Sequence, residues 1–184
     1  IMNMVRFDME AVRKFLVDKN DEGKLNLNKL CLVGAGMGAT VAANWTAVDW
    51  RAPPLATTKQ GQDVKGLVLV SPEQVFMGIR IHDALRIPGV RDRVSVLIIC
   101  GGQDSKAQRE AKRIYKTLEP YHPEPPENER QEKQDLFFQE LSTSNQGGKL
   151  FEPPSLGIEG YIAEFIELRL VNKEHEWMRR RFRH

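Results

Sequence analysis

The stretch Leu30-Cys31-Leu32-Val33-Gly34-Ala35-Gly36-Met37-Gly38-Ala39-Thr40-Val41-Ala42-Ala43-Asn44-Trp45 decides the fold. The apolar run Leu30 to Val33 has no polar residue alternating through it, which suits a short strand buried on both faces. The small, Ala-rich run after Gly38 suits a helix packed closely on that strand. The glycines between them make a sharp bend. A strand, bend and helix in that order place residues 34–38 at the carboxyl edge of a sheet, where open α/β folds carry their chemistry.

Two patterns fit the bend. Gly34-x-Gly36-x-x-Ala39 satisfies a dinucleotide fingerprint, with glycines for the tight turn and a helix N-terminus for the pyrophosphate. Gly34-Ala35-Gly36-Met37-Gly38 equally fits the G-x-S-x-G nucleophile elbow, with Gly36 where the serine stands. The flanking chain separates them. A dinucleotide fold wants a second strand soon after the helix, ending in an acidic residue about 20 positions past the motif. Here that interval holds the polar loop Arg51 to Asp63 with Pro53 and Pro54, and the next strand ends only at Ser71-Pro72-Glu73.

Outward from this unit, strands and helices alternate. Met4 to Lys19 spaces Val5, Met9, Val12, Phe15 and Leu16 as an amphipathic helix. Gly66 to Pro72 and Val94 to Gly102 read as buried strands, joined by a poorly patterned stretch expected to form a short helix or two. Ser105-x-x-Gln108 has the form of a capping box, opening a helix with Ala107, Ala111, Ile114, Tyr115 and Leu118 on its apolar face. The proline-rich, charged segment Glu119 to Gln134 reads as a surface loop. Leu136 to Leu141 is a fourth strand. Leu156 to Leu170 is a last helix. The alternation predicts a three-layer α/β/α architecture around a mostly parallel sheet, as one domain over residues 1–171 followed by a basic tail, 172–184.

Composition sets outer limits on function. The chain of 184 residues is 41% hydrophobic and 28% charged with a net charge of +2, which gives no strong field for nucleic acid. No apolar run approaches the roughly 20 residues of a membrane span. Cys31 and Cys100 each fall inside a buried strand, so we expect free thiols acting as small hydrophobes, with no disulfide and no metal site. The opening Ile1-Met-Asn-Met, already in the approach to a helix, leads us to expect residues upstream; any targeting signal would lie there, and no compartment is read.

In the order of its elements the chain resembles the C-terminal part of an α/β-hydrolase. The carriers are the helix leading into the elbow strand, the strand "GLVLVSP", the string "VSVLIICGGQDSKAQREAKRIY" in the style of the acid-bearing strand and helix, and the last strand, loop and helix. The resemblance runs from about Met4 to Leu170 and covers the second half of the family fold, since the strands that precede the elbow helix are absent. It implies a serine nucleophile at the elbow, an acid after the third strand and a histidine after the last. Gly36 occupies the nucleophile position and has no side chain to attack with. Asp104 occupies the acid position, with helix capping as its competing role. The resemblance also implies that the backbone N–H of Met37 contributes to an oxyanion hole. The histidine loop, Ser142 to Gly148, contains no histidine; His82, His122, His175 and His184 are expected to be solvent-exposed.

The expectation is therefore a hydrolase-like protein that is catalytically impaired or inactive, with a binding or scaffolding role and no cofactor. Its alternatives are an active acyl or ester hydrolase relative with an inactivated or displaced nucleophile, and a nucleotide-binding module using Gly34, Gly36 and Ala39. Four strands leave a bare edge beside the first, and we expect upstream residues or a second copy of the chain to cover it. Trp45 and Trp50 are expected to pack. Trp177-Met-Arg-Arg-Arg-Phe-Arg-His184 reads as a solvated basic end, with contact to phosphates or an acidic partner as the alternative.

Overall fold

The computed structural model describes residues 2–182. Four strands form one parallel sheet in the order β1-β2-β5-β6: β1 (Leu30–Ala35), β2 (Val64–Val70), β5 (Ser95–Gly101) and β6 (Leu136–Leu141). Sheet order follows sequence order throughout. Between β2 and β5 lie β3 (Val75–Phe76) and β4 (Ile79–Arg80), an antiparallel pair, then α3 (Ile81–Leu85) and α4 (Pro88–Arg93). The expectation of short helices there holds for residues 81–93 but misses the hairpin. Its bend is Met77-Gly78, with φ of 47° and 81°; a methionine at positive φ is not a turn signal a sequence offers.

Side chains alternate across the sheet and create two cores. Leu67, Leu69, Val96, Ile98 and Cys100 face one cluster. It is shared with α2 (Met37–Arg51), α3, α4 and α5 (Ser105–Leu118). Val68, Val70, Leu97 and Ile99 face the other, under α7 (Ile158–Ile166). These strand residues are at most 4% exposed, and each fully buried aliphatic side chain stabilises the fold by roughly 1.5–3 kcal/mol. The result is an α/β/α arrangement with a four-stranded parallel sheet, as the alternation predicted. Trp45 and Trp50 pack as expected, 2% and 8% exposed.

The first helix is turned differently from its apolar pattern. A π-helical turn, Met4–Asp8, leads into α1 (Met9–Asp21), whose inward residues are Arg13, Val17 and Asn20, with Val5 on the preceding turn. Val12 and Phe15, expected inside, are 53% and 58% exposed. The reason is electrostatic: Arg13 reaches Asp63, and its inward side fixes the rotation of the helix. The loop 119–134 contains a short helix, α6 (Arg130–Lys133), and the last helix ends in a π-helical turn, Glu167–Val171. Strand β1 forms one edge of the sheet, and no described residue pairs with its free side. The expectation that Leu30 to Val33 is buried on both faces therefore fails: as an edge strand β1 is only partly covered, and Val33 is 47% exposed.

Candidate functional site: a glycine elbow at the carboxyl rim

The bend after β1 has the geometry an elbow requires. Gly36 takes φ 53° and ψ −117°, outside the regions open to ordinary L-residues, and stands at the N-cap of α2. Its N–H donates to Val70 O (2.9 Å), and its carbonyl accepts from Ala39 N (3.0 Å), so the strained residue is held from both sides. Gly34 serves a different need. A Cβ there would lie 2.3 Å from the carbonyl oxygen of Gly38, so only glycine lets the helix fold back this tightly. A Cβ on Gly36, by contrast, meets nothing within 4 Å. A side chain at Gly36 would therefore meet open space, and its only obstacle is the positive φ.

The loop after β6 closes over the same point. Gly147, with φ 56°, lies so that a Cβ on it would be 3.9 Å from Gly36 Cα. Its neighbour Gln146 locks the loop to the sheet. Gln146 Nε2 donates to Gly101 O (2.8 Å), Gln146 Oε1 accepts from Ser71 Oγ (2.7 Å), and Gly147 N donates back to Ser71 Oγ (2.9 Å). Ser71, at φ 47°, is the strained residue just beyond β2. These ties join the ends of β2 and β5 to the loop after β6. Sequence reasoning did not single them out: Ser71 and Gln146 look like ordinary loop residues until the parallel sheet brings the loops that follow its strands together.

Asp104 lies just beyond β5, where the resemblance places an acid. Its Oδ1 accepts from Lys106 N (2.9 Å) and Ala107 N (3.1 Å), making it the N-cap of α5. Ser105, expected to open a capping box, is instead the first residue inside the helix. A cavity of about 200 Å³ lies beside Asp104, lined by Ser71, Glu73, Glu110 and Gln146 among others, and none of its lining residues is a histidine. Met37, as first residue of α2, presents one of the first-turn N–H groups that a helix cannot pair internally. The structure thus brings Gly36 and Met37 together with Gly147 and leaves Asp104 occupied in capping.

The histidines lie elsewhere, and the expectation that all are exposed fails for the three described. His82, His122 and His175 are half-buried, and His184 lies outside the described residues. His82 Nδ1 is 3.0 Å from Thr117 Oγ1, on the α3–α5 contact. Burial pushes its pKa, and that of His175, below the ordinary histidine value. Cys31 and Cys100 are free thiols pushed up by burial to about 12 and about 11, unsuited to nucleophilic work. Among the described residues no group of three or more His, Cys, Asp or Glu side chains is arranged to hold a metal ion, and no helix is long and apolar enough to cross a membrane.

No protein-family model, no curated protein and no solved structure matches this chain. Its own residues therefore carry the functional argument.

Proposed function

We propose that this chain is an α/β-hydrolase-like domain that does not perform acyl transfer and uses the elbow as a structural and weakly binding element. The observation that carries the reading is Gly36: an elbow backbone with open space where the attacking side chain would stand. Hydrolysis by a triad needs a hydroxyl, a base to take its proton and an acid to orient the base. Here the first position is Gly36, the loop facing it presents Gly147, and one oxygen of Asp104 caps two helix N–H groups with no histidine among the residues lining the cavity beside it. Ser71 is no substitute nucleophile, because its hydroxyl donates to a Gln146 amide oxygen, which cannot accept the proton for good. The N–H of Met37 and the first turn of α2 still attract a carbonyl or small anion.

The dinucleotide reading loses support from the sheet order. A fold of that kind binds its cofactor where the order of strands reverses, and β1-β2-β5-β6 contains no reversal among the described strands. Saturable, micromolar quenching of Trp fluorescence by NAD or FAD would revive it.

Short-chain aryl esters test the main reading. The protein and its Gly36→Ser variant are both expected to leave them unhydrolysed above the buffer rate, since a hydroxyl without a base remains a weak nucleophile. Turnover restored in Gly36→Ser would overturn the non-catalytic reading.

A further inference from the structure

At the opposite end of the sheet the chain segment 173–182 lies in a polar cradle. Three asparagine amides read its backbone: Asn26 Nδ2 donates to His175 O (2.7 Å), Asn28 Nδ2 to Glu176 O (2.6 Å) and Asn20 Nδ2 to Met178 O (3.0 Å). Lys59 adds strand-like pairing, its N–H donating to Arg179 O (3.1 Å) and its carbonyl accepting from Arg181 N (2.7 Å). Asp21 Oδ1 accepts from Arg180 N (3.0 Å). These contacts fix an extended main chain and are indifferent to most side chains.

Two side chains are read individually. Trp177 Nε1 donates to Asn20 O (3.0 Å). Arg180 enters a closed pocket, where its Nε donates to Asp63 Oδ1 (2.8 Å) and its Nη2 to Asn28 Oδ1 (2.9 Å), with the side chain fully buried. The pocket wall has contacts of its own besides the arginine: Arg13 holds the other oxygen of Asp63 at 3.0 Å, and Asp49 Oδ2 accepts from Asp63 N (2.6 Å) and Val64 N (3.1 Å). Apolar burial contributes little. Trp177 and Phe182 remain 46% and 39% exposed, and the chain entering the cradle at Val171 is 58% exposed. Donors aimed at the segment's main chain, one deep charged pocket and one aromatic handle are the parts of an extended-peptide recognition site.

We propose that this cradle is a peptide-binding site, selective for an extended segment with an aromatic residue three positions before an arginine, and that residues 173–182 of the chain itself fill it exchangeably. It lies across the sheet from the elbow, so its failure would leave the reading of the elbow unaffected. The arginine carries selectivity. Without it Asp63 Oδ1 loses its hydrogen-bonded partner and keeps only Lys59 Nζ at 4.0 Å, and a lysine in place of the arginine loses the bond to Asn28 while keeping the charge.

The test uses the full chain with a protease site placed within Asn172–Glu174. After cleavage the C-terminal fragment is expected to remain bound through gel filtration and to exchange with an excess of labelled peptide of sequence 172–184. The same peptide carrying Arg180→Ala should compete about 100-fold less well, and the Arg180→Lys peptide should fall between. Equal competition by the Arg180→Ala peptide, release of the fragment without rebinding, or retention with no exchange over days would each overturn the proposal. If the inserted site prevents folding, amide hydrogen exchange on the unmodified chain decides: residues 175–181 should open well before β2 and β5, and equal protection would refute exchangeability.

Discussion

The two ends of the parallel sheet are built from opposite materials. At the carboxyl rim, where α/β folds place their reactive groups, the loops are held by glycines and neutral polar groups, Gly36 against Gly147 with Ser71 and Gln146 as ties, and the carboxylates of Glu73, Asp104 and Glu110 line the cavity beside them. The amino rim, usually plain scaffold, holds Arg13, Asp49, Asp63 and Arg180 buried together, with Lys59 at 4.0 Å from Asp63. The Gly36–Gly147 contact and its Ser71–Gln146 ties keep their shape through backbone geometry and neutral hydrogen bonds, with no buried ion pair among them. A charged rim keeps its shape only while every ion is matched, since an unpaired buried charge is costly. The end of this molecule most specific in its contacts is therefore not the one its motif advertises.

Mutations at the two rims test that contrast. The largest effect is expected from Asp63→Ala, which removes the carboxylate shared by the buried Arg13 and Arg180, leaving Arg13 only Asp49 at 3.9 Å, and should lower stability by about 3–5 kcal/mol in urea denaturation. A loss under about 1 kcal/mol would mean the amino rim is held by packing alone. Gly34→Ala comes next. The added methyl would sit 2.3 Å from the Gly38 carbonyl, a backbone clash expected to cost about 2–3 kcal/mol, against about 1–2 kcal/mol for Gly36→Ala, where positive φ is the sole penalty. Thermal melts of the pair should preserve that ranking; the reverse order would remove the close strand–helix approach as the reason for Gly34. Smallest is Asp104→Ala, which deletes the α5 cap at an expected cost of about 1 kcal/mol. Chemical denaturation showing a loss several times larger would assign Asp104 a partner beyond Lys106 N and Ala107 N.

The two central strands were legible because burial on both faces leaves an unbroken apolar run, Leu67 to Val70 and Val96 to Cys100. The edge strands β1 and β6 are only partly buried and were legible from shorter apolar runs, Leu30 to Val33 and Leu136 to Phe138. The elbow was legible for a related reason: tight bends force glycine, and Gly34, Gly36 and Gly38 stand at the required spacing. Helix α1 was misread on its rotation. An apolar count favours Val12 and Phe15 inside, and nothing local announces that Arg13 has a partner 50 positions away. The same holds for Arg180, whose carboxylate lies 117 positions back. A basic, aromatic end reads as solvated when its neighbours in sequence are all that is visible, and Arg180 is instead one of the most buried polar residues of the chain.

By itself the sequence determined the alternation of elements, the parallel sheet and the bend at Gly36, because these follow from local periodicity and from the conformations that single residue types permit. The tertiary structure alone decided that Gly147 faces Gly36, that Asp104 caps a helix, and that Asp63 gathers two arginines from opposite ends of the chain. Those outcomes depend on groups distant in sequence sharing one small, poorly solvated volume, where the strength of a charge or an amide is set by what surrounds it and not by its place in the sequence.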